Sequence, residues 1–144
     1  MVRGGRHGAT VSAFASVSAD PPTVLVSLRT SSRICSADVN NRMFTVSALT
    51  EHDWDVARTF AGEFDSTMVD RFAGVHLDPF PGLAPGFAGA SCFACTTART
   101  LEQHTHTIVI GRVMRVAGAL RPPLLYHDGA YGQFLHGPSH RVTT

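Results

Sequence analysis

Gly8-Ala9-Thr10-Val11-Ser12-Ala13-Phe14-Ala15-Ser16-Val17-Ser18, closed by Asp20-Pro21-Pro22, is the stretch on which the reading of this chain turns. At a period of two, Ala9, Val11, Ala13, Ala15 and Val17 fall on one side, and Thr10, Ser12, Phe14, Ser16 and Ser18 on the other. The pattern predicts a strand with a small apolar face and a hydroxyl face. Small side chains let another group approach the backbone, and a row of hydroxyls offers it donors and acceptors. Taken alone, the same pattern also describes an ordinary half-buried strand whose hydroxyl face meets water.

Downstream of the Pro-Pro break lies a second apolar run, Thr23-Val24-Leu25-Val26-Ser27-Leu28, and then Arg29-Thr30-Ser31-Ser32-Arg33 leading into a helical pattern. Farther on come Asp70-Arg71-Phe72-Ala73-Gly74-Val75, His106-Thr107-Ile108-Val109-Ile110-Gly111, Pro123-Leu124-Leu125-Tyr126-His127 and Tyr131-Gly132. In this order the motifs resemble the flavin reductase-like family of FMN-binding split barrels. The resemblance spans nearly the whole chain and implies a mainly β fold, an antiparallel split barrel of Greek-key type with two or three short helices. It implies one such domain over residues 1–135 and a flexible tail over 136–144. In the family a strand and usually a helix precede the first turn, and only Met1 and Val2 represent them here, so a shortened barrel is expected.

Composition bounds the function classes. A chain of 144 residues is one domain with room for a core. Hydrophobic content of 44% with 16% charged residues describes a folded globular protein. All twelve basic residues are Arg and they are scattered along the chain, so no polybasic stripe is available for nucleic acid or for an anionic membrane. No apolar run is long enough to span a bilayer and the amino terminus lacks a signal-peptide core, so a cytoplasmic location is expected. Three Cys residues are too few and too unevenly spaced for a disulfide framework.

Local signals place the remaining elements. Arg3-Gly4-Gly5-Arg6 reads as a tight turn into the first strand. Ser31 or Ser32 caps a helix running from Ser32 to about Asn40, and Met43 to Leu49 is a strand. Thr50-Glu51-His52-Asp53 starts a second helix, with Thr50 as cap, ending near Gly62, and a short helical piece is expected from Ser66 to Ala73. The Pro- and Gly-rich stretch from His76 to Gly89 is a loop, expected over the cofactor or at a subunit contact. Two long strands, about Ala90 to Thr100 and Thr105 to Ala117, are joined by Leu101-Glu102-Gln103-His104. Asp128-Gly129 is a type I′ turn signal closing the last hairpin.

The candidate chemistry follows from these placements. At Ser31, Ser32 and Arg33 a strand hands over to a helix, so backbone N–H groups, hydroxyls and a guanidinium converge on one anion site. The bland reading is a helix cap. By resemblance this corner holds the FMN phosphate, although Ile34 replaces a frequent family Thr. The resemblance lays the isoalloxazine and ribityl groups along Thr10, Val11, Ser12 and Ala13 and puts Tyr131 near the flavin. It assigns to His106 a catalytic place facing the flavin and the pyridine nucleotide, with His104-Thr105 standing where Gly-Asp is common. A lone His on an apolar face is otherwise a satisfied core residue, and Tyr131 is otherwise rim packing. Arg58 and Phe60 resemble a family segment near the cofactor or the dimer interface.

Cys92-x-x-Cys95 with His104 and His106 has the composition of a zinc site. In a strand, however, positions i and i+3 point to opposite faces, so small buried thiols are expected and no metal. The resemblance as a whole implies an NAD(P)H-dependent flavin reductase using FMN or FAD, with NADH or NADPH as substrate. It also implies a homodimer and a separate monooxygenase that takes the reduced flavin. The alternatives are a flavin-binding module without turnover and a barrel of the pyridoxal-phosphate-binding oxidase type.

Overall fold

The structure is a computed structural model describing residues 6–138; the turn expected at residues 3–5 and residues 139–144 of the expected tail lie outside the described residues. In chain order the elements are β1 (Phe14–Ala19), β2 (Pro22–Arg29), α1 (Arg33–Asn41), β3 (Met43–Ala48), α2 (Trp54–Phe60), β4 (Leu77–Asp78), β5 (Gly86–Phe87), β6 (Ser91–Gln103), β7 (His106–Ala117), β8 (Leu124–His127) and β9 (Ala130–Gln133). A five-stranded sheet runs β1-β2-β7-β6-β3, antiparallel at every pairing, and β4-β5 and β8-β9 form two small ladders. This is the mainly β, antiparallel architecture that the motif order implies, with two helices among the described residues.

Alternation in the central strands makes the core. Val24, Val26 and Leu28 of β2 point inward, as do Thr107 and Val109 of β7. Val26, Leu28 and Val109 pack with Cys35 of α1, and Ile34, Phe44 and Val46 close around them. Fully burying a Val or Leu contributes roughly 1.5–3 kcal/mol each, so this cluster anchors α1 on the sheet. Cys92 and Cys95 are fully buried in β6, in different surroundings. The Cys92 thiol meets Ser47 and the Phe87 carbonyl, whereas burial first and the Asp38 charge second push the Cys95 thiol up to about 11.

Four local expectations change. β1 starts at Phe14 and not at Gly8, because Phe14 N–H bonds back to the Ser12 carbonyl and Thr10 is drawn to α2. Its residues are exposed on both faces, so the small-apolar side buries nothing within the chain. Thr50 does not cap α2: its N–H and hydroxyl both donate to Asp53 Oδ2 (2.8 and 2.7 Å), and the helix begins at Trp54. Residues 66–73 form separate turns and no helix, since the Asp70 carboxylate accepts from Phe72 N–H (2.9 Å) and diverts the backbone. The link between the long strands is the turn His104-Thr105 alone, with Gln103 already paired to His106.

Other expectations hold in detail. Ser32 is the α1 cap, with extended backbone and a side chain accepting from Cys35 N–H. Asp128 and Gly129 both have positive φ (49° and 78°), as the type I′ hairpin requires. The Pro- and Gly-rich stretch is a loop carrying the short β4-β5 ladder, pinned to β3 where Thr45 donates to Ala84 O and Ser47 accepts from Phe87 N–H.

Asp38 is a charge on the inward face of α1. It is 3% exposed, Oδ1 accepts from Thr97 (2.7 Å), and Oδ2 is buried with no partner. Burial pushes its carboxyl above the ordinary range, against the smaller opposing effects of Thr97 and Arg42. A carboxyl whose folded pKa is raised stabilises the fold below its unfolded pKa, and that contribution is lost as pH rises through the folded value. Denaturant unfolding of the natural chain and of Asp38→Asn between pH 4 and 7 therefore shows the natural chain losing ground to the variant as pH rises. A difference that stays flat with pH contradicts this account.

Candidate functional site

The corner between β2 and α1 is held by the neighbouring strand. Thr30 N–H donates to the Thr105 carbonyl (2.9 Å), and the Thr30 hydroxyl pairs with that of buried Thr107 (2.9 Å). The Ser32 hydroxyl is spent on the helix, accepting from Cys35 N–H (3.3 Å) and donating to Arg29 O (2.6 Å). Ser31 and Arg33 remain exposed beside the N-terminus of a nine-residue helix. That set of groups, a hydroxyl, a guanidinium and the positive end of a helix, suits a phosphate.

His106 belongs to this corner. It lies opposite Arg29 of β2 and is exposed, with Nδ1 2.9 Å from the Thr105 hydroxyl. Thr107, Val109 and Gly111 take the buried side of β7, so His106 is not a satisfied core histidine. The bond from Thr30 to Thr105 thus brings Ser31, Ser32, Arg33 and His106 to one place.

Residues 8–13 take a second position. Ala13 O accepts from Ser27 N–H (3.0 Å), while Thr10 N–H donates to Phe60 O (3.1 Å) and its hydroxyl to Ala57 O (2.6 Å). The segment therefore bridges from β2 to the end of α2. Gly8 makes this possible, because a Cβ there would lie 2.7 Å from Phe60 Cε1 and 3.1 Å from Phe72 Cζ. From Ser27 to Thr30 is three residues of strand, about 10 Å, so Ala13 and the corner stand within reach of one elongated ligand.

A cavity of about 970 Å³ opens on the inner side, with Thr10, Val11 and Ser12 on one wall, Phe44 and Phe60 on others, and Tyr131 at the rim. Ala13, Ser31, Ser32, Arg33 and His106 do not line it, although Ile34 does. The structure thus sorts the sequence-derived candidates into two groups, one at the cavity and one at the corner, joined through Ala13 and Ile34. Tyr131 packs on Tyr126 (centroids 5.2 Å apart), and its hydroxyl is pushed above its ordinary range by burial first and then by the Glu63 charge. Phe60 is packed edge-on against Phe72 and Phe87, and Arg58 is paired to Glu63 (2.6 Å). Phe60 thus packs in the fold and also faces the cavity.

Neither thiol meets the histidines. Cys92 and Cys95 precede Gln103 in one strand by enough residues to stand roughly 25 Å or more from the His104 turn, and among the described residues no group of three or more His, Cys, Asp or Glu is placed to hold a metal. Two residues of interest carried only faint sequence signals. Arg71 lies inside a quoted motif but pairs with Asp65 six residues away, a spacing with no helical or strand meaning. Asp38 is a carboxylate in an otherwise apolar helix face.

The family pattern described as flavin reductase like domain matches residues 2–135. The reductase component of the 4-nitrophenol 4-monooxygenase/4-nitrocatechol 2-monooxygenase of Rhodococcus opacus is 33% identical, over 90% of this chain and 68% of that protein. The flavin reductase (NADH) of Kitasatospora aureofaciens is 34% identical, over 91% of this chain and 69% of that one. Some curated relatives are longer, the chain spanning 39% of their length. Among solved structures, the NADH:FAD oxidoreductase SgcE6 of Streptomyces globisporus C-1027, in complex with NAD and FAD fragments, superposes with a TM-score of 0.80 at 30% identity, covering 90% of this chain and 78% of that one. With a match across nearly its whole length and split-barrel flavin reductases as structural neighbours, the chain belongs to the flavin reductase-like family.

Proposed function

We propose that the protein is an NAD(P)H-dependent flavin reductase that binds FMN, or FAD, across the β2–α1 corner and the 8–13 segment, and passes reduced flavin to a separate monooxygenase. The observation that carries this reading is the Thr30–Thr105 tie, which gathers Ser31, Arg33 and His106 at one corner, with Ala13 bonded to Ser27 of the adjoining β2. The residues fit the cofactor chemically: an exposed guanidinium, a hydroxyl and a helix N-terminus suit its phosphate, and a small-residue backbone suits a flat ring.

Bound flavin supplies the acceptor for the hydride delivered by the nicotinamide. The chain itself binds and orients. Arg33 and Ser31 fix the anionic tail, Thr10, Val11, Ser12 and Ala13 lie along the ring and its ribityl chain, and Tyr131 stands at the ring's edge. His106, exposed at the corner, orients the incoming nicotinamide. No group on the protein has to gain or lose a proton for this transfer.

The protein acts as a homodimer in the cytoplasm. Phe14 and Val17 on the edge strand β1, Leu101 on β6, and Met114 and Val116 on β7 are large apolar side chains left exposed on the five-stranded sheet, and a second copy covers them. Among the described residues no helix is long and apolar enough to cross a membrane.

Added FMN raises the melting temperature and NADH is consumed in its presence, the former through mass action. Retained flavin with no NADH consumption favours a binding module without turnover, and absence of both effects removes the flavin reading. Arg33→Ala weakens FMN about 10- to 100-fold, the scale of a charge-assisted hydrogen-bonded contact, and leaves riboflavin nearly unchanged; fluorescence titration measures both. His106→Ala lowers turnover with NADH on the order of tenfold through lost orientation, with little change in FMN affinity.

A further inference from the structure

The turn between β6 and β7 is made by two residues, and one of them, His104, takes a left-handed φ of 52°. A non-glycine residue there costs conformational energy and persists only where its surroundings hold it. Part of that hold is the Thr105 carbonyl, which accepts from Thr30 N–H (2.9 Å) and fastens the turn to the end of β2. The Thr105 side chain has a different use. Its hydroxyl stands 2.9 Å from Nδ1 of His106, the first residue of β7. Thr105 thus spends its backbone on the phosphate corner and its side chain on the imidazole.

Among the described residues this is the hydrogen bond that holds the His106 ring, which is exposed on the side of β7 opposite buried Thr107 and Val109. An exposed imidazole without a partner samples several rotamers. With Nδ1 tethered, its far nitrogen Nε2 is kept pointing away from Thr105. The same bond bears on which nitrogen carries the proton. The Thr105 carbonyl is committed to Thr30, and among the described residues no other acceptor meets the Thr105 hydroxyl, so the Nδ1 lone pair is the intramolecular acceptor for its proton. The ring's own proton then sits on Nε2.

We propose that Thr105 is a positioning residue for hydride transfer: its hydroxyl donates to His106 Nδ1, fixes the imidazole as the Nε2–H tautomer, and presents that N–H as the donor to the carboxamide oxygen of the nicotinamide. The inference rests on the flavin reductase reading above and deepens it, since it states which atom of His106 orients the nucleotide and what holds that atom in place. The side-chain role is separable from the backbone role. Removing the hydroxyl leaves the carbonyl bond to Thr30 in place, so the phosphate corner stands while the ring is released.

The test uses Thr105→Val, which keeps the shape and loses the hydroxyl, Thr105→Ser, which keeps the hydroxyl, and His106→Ala alone and combined with Thr105→Val. Nitrogen NMR spectra of the isotope-labelled, flavin-free chain at about pH 8.5, above the ordinary imidazole range, read the tautomer directly. His106 is expected as Nε2–H in the unsubstituted chain and in Thr105→Ser, and as a mixture of both tautomers in Thr105→Val. In NADH turnover with FMN, Thr105→Val lowers kcat about three- to fivefold, the scale of one neutral hydrogen bond, while the FMN dissociation constant and the melting temperature stay as they are. Thr105→Ser recovers the rate, and Thr105→Val added to His106→Ala costs nothing more. The loss in Thr105→Val shrinks with the thioamide analogue of NADH, whose sulfur is the weaker acceptor. An Nδ1–H ring in the unsubstituted chain overturns the proposal, as does a Thr105→Val loss that persists undiminished without the His106 ring, appears equally in FMN affinity, or is the same with the thioamide. An unsubstituted chain that consumes no NADH marks instead a failure of the flavin reductase reading, and the ring-nitrogen spectra then still decide the contact between Thr105 and His106.

Discussion

The pairing of β2 with β7, unbroken from Thr23–Arg112 to Arg29–His106, is the constraint on which the rest depends. On its inner face it buries Val26, Leu28 and Val109, which seat α1 through Cys35 and Ile34. Its far end sets the corner: once Arg29 is matched to His106, the next residue can reach Thr105 and Thr107 with both its N–H and its hydroxyl. Slipping the register by one residue would turn Val24, Val26 and Leu28 outward and carry Thr30 away from its partners. Core and site are thus specified by the same ladder, and a chain that loses the second has also lost the first.

Two carboxylates near this frame show how one group takes opposite roles. Asp38 is buried under α1, its carboxyl raised, with one oxygen on Thr97 and one unpartnered. Asp65 is exposed, its carboxyl lowered by the guanidinium that grips it. Burial dominates in the first case and a short charge-assisted bond in the second. The cost at Asp38 also reaches Cys95, whose thiol stays protonated in the same dry layer and behaves as a small apolar filler. In an apolar helix face a carboxylate is a liability that Thr97 only half relieves, whereas at the surface it anchors the Arg71 guanidinium.

Much of this was legible in the residues because it is local. Alternation in Thr23 to Leu28, the Ser32 cap, the Asp128-Gly129 turn and the long hairpin each depend on neighbours within a few positions, and the motif order gave the family. What was not legible is non-local. Thr50 reads as a cap by every short-range rule, yet Asp53 takes both of its donors. Gly8 to Ala13 has a strand's period, yet Phe60, Ala57 and Arg71 pull it off the sheet. No periodicity encodes that Asp65 will meet Arg71, or that His106 will come to stand opposite Arg29. The candidate residues were nameable one by one, but their division between cavity and corner required the pairing of strands far apart in sequence.

The bent start of the chain follows from a competition that the strand loses. Extending β1 back through Ser12 would add ladder bonds to an edge, each a modest net gain against water. Leaving the sheet lets Thr10 donate to two carbonyls near the end of α2, that of Phe60 at the last helical residue and that of Ala57, which also accepts from Ala61 N–H, and lets Gly8 press against Phe60 and Phe72. The detour also shortens an edge whose Phe14 and Val17 remain 38% and 52% exposed, which limits open-ended strand addition while leaving apolar area for one defined neighbour. A segment held at one end by β2 and at the other by α2 is kept rigid without being paired along its middle. Its backbone N–H groups at Val11 and Ser12 are thereby off the ladder, while the Ser12 carbonyl accepts from Phe14 N–H; donors outside the ladder are the condition under which a strand-like stretch can bind a ligand instead of another strand.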